Sequence, residues 1–171
     1  MQYKLSKMTV DQRSVVVNRL EDLADQYLHV HLRYVGEADL KGLKAYGFAQ
    51  YLRRSIMIDS WAISGIDNQK LDWIVTHEFG HHVYFTLQDA NMSPWLVYAL
   101  QPLVPSYIID RLNEMQAAAN NTGVSFWDYA SELFAEAFAY MIHHNDIAIR
   151  EIIDSWYAVV ADGGLFDPFD D

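Results

Sequence analysis

Apolar residues recur at helical spacing over Val10, Val16, Val17, Leu20, Leu23, Ala24, Tyr27 and Leu28, with charges between them. This predicts an amphipathic helix from about 10 to 28. Thr9, with Gln12 three residues on, has the form of a capping box at its start. The period then changes to two in HVHLRYV, residues 29–35, where Val30, Leu32 and Tyr34 share one face. That is a strand pattern, and it leaves His29 and His31 on a solvated face. Gly36 to Gly42 reads as loop or short helix. Two β-rich runs, 46–52 and 55–59, flank Arg53-Arg54 and predict a hairpin or two neighbouring strands. Asp67 or Asn68 can then cap a helix from about 69 to 87.

The second half of the chain is helical in pattern throughout. Pro94, Pro102 and Pro105 break up residues 89–105 and leave room for one short helix at 95–100. A helical period covers Tyr107 to Ala119 and stops at Asn120-Asn121-Thr122-Gly123. Ser125 with Asp128 three residues on repeats the capping signature and opens a helix to about 144. Asp146 can cap a last helix, Ile147 to about Val160, ahead of a short acidic tail. No repeat or linker divides the chain, so the expectation is one domain, 1–171, of α+β class. It should be mainly α-helical with a small, mostly N-terminal β-sheet, and most tryptophans should lie in the core.

Charge narrows the possible partners. With 23 acidic residues against 12 Lys plus Arg, the net charge is −11. Nucleic acid and anionic membranes are bound mainly through positive charge, so neither is expected. The start, MQYKLSKMTV, lacks the apolar core of a secretory signal, and no apolar run reaches the length of a membrane span. The expectation is a soluble protein. There is no cysteine, so any metal must be held by nitrogen and oxygen.

Within the helix predicted at 69–87 lies His77-Glu78-Phe79-Gly80-His81. Positions i and i+4 stand on one helical face, so His77 and His81 can turn two imidazoles toward one ion. Glu78 can reach a water beside that ion. This is the H-E-x-x-H arrangement of zinc hydrolases, with two histidine ligands and a glutamate general base. Gly80 costs roughly 1 kcal/mol against alanine in a helix, which suggests a close approach there. His82 is turned about 100° from His81 and suits packing or support of a ligand. His143 and His144 suit the C-terminal dipole of their helix.

The helix predicted at 126–144, FWDYASELFAEAFAYMIHH, is apolar or small at nearly every position from 129 to 142, apart from Glu132 and Glu136. Two carboxylates at i and i+4 on a buried helix are costly unless positive charge stands opposite. No Lys or Arg occurs between 71 and 87 or between 126 and 144, which favours a divalent cation over an ion pair. As third ligand Glu132 ranks first, Glu136 second and Glu114 third.

H-E-F-G-H followed by E-L-F-A-E-A-F-A resembles the gluzincin metallopeptidases of the anthrax lethal factor and Pro-Pro endopeptidase type. Similar domains occur in some phage head proteins and polymorphic toxins. The resemblance implies a zincin-like fold whose active-site helix packs against a Glu-bearing helix. It implies one Zn2+ per chain held by His77, His81 and Glu132, with Glu136 hydrogen-bonded to a ligand imidazole. It further implies an endopeptidase acting on a protein or peptide substrate, with Glu78 as general base. That group also carries a tyrosine that donates to the oxyanion, seven residues before the third ligand. Ser125 occupies that position here, and Tyr129 is the nearest tyrosine. Two other classes share the metal motif: a metal-binding module without turnover, and a structural domain of a larger particle.

Overall fold

The computed structural model describes residues 1–40, 45–89, 93–122 and 128–162. The described residues are mainly helical, with one four-stranded sheet confined to the N-terminal part, an α+β arrangement. The chain divides into two compact units, Met1–Val83 and Tyr84–Asp171.

The first unit is built on strand β1 (Gln2–Lys4), helix α1 (Val10–Gln26), and strands β2 (Tyr34–Ala38), β3 (Gly47–Gln50) and β4 (Ser55–Asp59). It also contains most of helix α2 (Asn68–Asp89). Strand order is β1-β2-β4-β3, with β1–β2 and β2–β4 parallel and β3–β4 antiparallel. β3 is therefore an edge strand. The predicted hairpin is present, with a single 3-10 turn at Tyr51–Arg53 and Arg54 in the left-handed region at φ 50°.

Helix α1 starts as its sequence predicts. The Gln12 amide N–H donates to the Thr9 hydroxyl, and the Thr9 amide donates to the Gln12 side chain. Val16, Leu20 and Leu23 give it a fully buried stripe. Gln12 is itself buried, and its side-chain amide donates to the Ile63 carbonyl at 2.9 Å, tying α1 to the segment before α2. Arg19 forks onto Asp72 of α2 at 2.6 and 2.7 Å. That two-bond geometry fixes the rotation of one helix against the other.

Two strand expectations need correction. Residues 29–33 are not a strand: pairing begins at Tyr34, and β2 runs on through Gly36 to Ala38, where loop or short helix is predicted. Leu28 and His29 form a turn, closed by the Val30 amide donating to the Tyr27 carbonyl at 2.9 Å, and Val30 and Leu32 are nonetheless buried while His29 and His31 are exposed. β1, three residues long, has no periodic signature at all.

The second unit comprises the end of α2, then α3 (Ser93–Leu100), α4 (Ser106–Thr122), α5 (Tyr129–His144) and α6 (Ile147–Asp162). α5 is central among these helices and packs against α3, α4 and α6. Leu133, Phe134, Ala137, Phe138 and Met141 on α5 are fully buried. Its start differs from the expectation. Asp128 is the N-cap, with extended backbone at φ −120° and a side chain accepting from the Ala130 amide. Ser125 itself lies outside the described residues, as do the acidic tail and residues 41–44. Asn145 ends α5 in the left-handed region, and Asp146 caps α6 by accepting from the Ile149 amide. The expectation of tryptophans in the core is not met among those whose burial is described: Trp61 is 65% exposed, and Trp73 and Trp156 are half-buried.

Candidate metal-binding and catalytic residues

On α2 the apolar residues Leu71, Val75, Phe79 and Val83 are fully buried and seat the helix. Asp67 caps its first turn, accepting from the Lys70 amide at 2.7 Å. The ring of Phe79 lies 6.2 Å, centroid to centroid, from that of Tyr27 at the end of α1. With Phe79 turned into this core, helical spacing leaves His77 and His81 to share a different face.

The two imidazoles meet. His77 Nε2 and His81 Nε2 are 3.1 Å apart, with the rings nearly perpendicular at 83°. Two nitrogens bound tetrahedrally at roughly 2.0–2.1 Å lie about 3.3 Å apart. The observed separation and convergence therefore suit two ligands of one ion. Without an ion, one neutral ring would have to donate its Nε2 proton to the other.

Glu78 is 94% buried, unusual for a carboxylate, and its side chain lies against Gly47 of β3. His82 is buried on the sheet side of α2. Its Nε2 is 3.2 Å from the Ser55 carbonyl of β4. A carbonyl only accepts, so Nε2 carries the proton and the tautomer is determined. Burial pushes the His82 pKa down to about 4, with the Ser55 bond opposing the shift. The residue is thus neutral and holds α2 to the sheet, while the ring of Tyr51 lies 6.3 Å from its own.

In the second unit, Glu132 stands in the first turn of α5 and is half-buried. A carboxylate there is favoured by the helix dipole. Tyr129 is the first residue of the helix, also half-buried, one turn before Glu132. Glu136 is buried and ion-paired with Arg111 of α4. This corrects the expectation that no cation would be available to the glutamate pair: the charge comes from a neighbouring helix. Glu114, the third-ranked ligand, is exposed. His143 and His144 occupy the last turn of α5 as expected, and the His144 ring lies 4.3 Å from that of Tyr140.

Sequence reasoning overlooked two residues, Gly47 and Arg111. Neither carries a local signal, because each matters only through a residue remote in sequence.

The chain matches no protein-family model, no curated protein and no solved structure. The functional reading therefore rests on the residues themselves. No described helix is long and apolar enough to cross a membrane.

Proposed function

We propose that this chain is a zinc-dependent endopeptidase of zincin-like fold, with His77, His81 and Glu132 as the metal ligands. The observation that carries the reading is the 3.1 Å convergence of His77 Nε2 and His81 Nε2 on α2. Two histidines and a glutamate form a donor set that can hold a metal ion. It is the set used by catalytic zinc sites, where three protein ligands leave a position for water or substrate. Glu132 is preferred to Glu136 because Arg111 already compensates the latter.

When bound there, zinc would supply Lewis acidity, lowering the pKa of water and polarising a peptide carbonyl. Glu78 follows His77 directly and supplies the base. Its carboxylate accepts the proton of the attacking water and returns it to the leaving amine. Tyr129, at the mouth of α5, is the candidate donor to the oxyanion. Among the described residues β3 is an edge strand, and an extended peptide can add to such an edge as a further strand.

The deciding experiment compares the zinc-loaded protein with Glu78→Gln on casein and on a proteome-derived peptide library. We expect one zinc per chain in both proteins and cleavage reduced about 10²–10⁴-fold in the variant. Unchanged cleavage by Glu78→Gln would overturn the general base. Zinc well below one per chain would overturn the metal site, and full zinc without cleavage by either protein would leave a metal-binding module.

A further inference from the structure

Gly47 opens the edge strand β3, and the Glu78 side chain occupies the space its missing side chain leaves. A Cβ built on Gly47 would stand 2.5 Å from Glu78 Oε1, 2.7 Å from Cγ and 2.9 Å from Cδ. Real Cβ atoms do not sit so close to heavy atoms. Three consecutive atoms are involved, so the side chain lies along the glycine and does not merely touch it with its tip.

We propose that Gly47 is a positioning residue for Glu78: its bare backbone forms the seat that sets where the carboxylate can stand. The role of Glu78 as a base rests on the peptidase reading above, whereas the seat does not.

The backbones on both sides are held. Gly47 pairs with Ile58 in the β3–β4 ladder, and the preceding residue is tied by the Asp59 amide donating to the Tyr46 carbonyl at 2.8 Å. On the other side α2 is fixed by the Arg19–Asp72 fork and by the His82–Ser55 bond. With both backbones restrained, an added methyl at position 47 is accommodated by the Glu78 side chain turning to another rotamer. β3 thus defines the base as well as the sheet edge. A base must lie within hydrogen-bond reach of the proton it takes, so such a turn removes it from the reaction without touching a metal ligand.

The test is Gly47→Ala, with Gly65→Ala as control because a Cβ there meets nothing within 4 Å. A crystal structure of Gly47→Ala should show Glu78 turned away from β3 with both backbones in place. Zinc content, measured on the loaded protein, should stay at one per chain. Turnover of fluorescein-labelled casein at saturating substrate should fall at least tenfold while KM changes little, and Gly65→Ala should match the parent protein. A Gly47→Ala structure with Glu78 unmoved, or full turnover at saturation, overturns the proposal. Should Gly47→Ala lower the Tm, the loss must vanish when the same change is made in a Glu78→Ala background. An equal loss in both backgrounds also overturns it. If the parent protein cleaves no casein, the peptidase reading fails, and the position of Glu78 in Gly47→Ala still decides the seat.

Discussion

The guanidinium of Arg111 on α4 is ion-paired with the buried carboxylate of Glu136 on α5. The other buried residues of α5 are apolar apart from Ser131, so the Glu136 charge gains from this partner. Removing Arg111 takes a compensating positive charge away from a buried carboxylate, which costs stability. Arg111 is itself half exposed, which lets water replace it in part and moderates the loss. Arg111→Met should destabilise the chain by about 1–3 kcal/mol. Adding Glu136→Gln should recover most of that, because a neutral amide no longer requires the cation. Urea unfolding of the two single variants and the double variant measures the coupling. Additive losses would show that the pair contributes nothing as a pair.

How far the sequence disclosed the fold depends on how local each signal is. The capping box of Thr9 and Gln12 and the stripe through Val16, Leu20 and Leu23 are contained within one helix, and α1 is found where they place it. Residues 29–33 alternate as a strand does and bury Val30 and Leu32. Yet ladder pairing needs a neighbouring strand alongside, and that begins at Tyr34. Asp128, read as the third residue of a box opened by Ser125, is itself the N-cap of α5, its side chain accepting from the Ala130 amide. At the candidate site, the i,i+4 spacing made the meeting of His77 and His81 legible. The seat under Glu78 and the cation beside Glu136 arise from chain segments far apart in sequence. No periodicity encodes them.

The convergence of His77 and His81 leads to a metal-linked stability. An ion that binds the folded chain alone raises its stability by RT ln(1 + [L]/Kd), about 2.7 kcal/mol at a hundredfold excess over Kd. Zinc should therefore raise the Tm of the parent protein, and a chelator should reverse the rise. His77→Ala and His81→Ala should each abolish the shift, whereas Glu78→Gln should keep it. Differential scanning calorimetry with and without zinc checks this. An equal zinc shift in His81→Ala would place the ion elsewhere.

His82 makes a separate prediction, because its bond is to the sheet. His82→Ala would remove a buried ring and one donor to the Ser55 carbonyl. Cavity and lost hydrogen bond together should cost about 2–4 kcal/mol. A ligand role predicts something different, namely loss of zinc with little loss of apo stability. Measuring urea stability of the metal-free protein and zinc content of the loaded one separates the two. We expect the first to fall and the second to remain near one per chain where the fold is retained.

Tyr3 on β1 sets an alkaline limit to stability. Its hydroxyl is buried with no hydrogen-bond partner among the described residues, and burial, aided by the charge of Glu21, pushes its pKa up to about 12. In the unfolded chain the value is near 10. Between these values the folded state holds a proton that the unfolded state has lost, so stability falls as pH rises through the window. The contribution is complete below about pH 10 and lost progressively toward pH 12. The effect is read as a difference from Tyr3→Phe, which leaves every other group in place. That variant discards an unsatisfied hydroxyl while keeping the ring, and at pH 8 it should be as stable as the parent or more so. Between pH 10 and 11.5 its urea midpoint should decline less steeply than the parent's. Parallel declines would mean that Tyr3 ionises as freely in the folded chain as in the unfolded one.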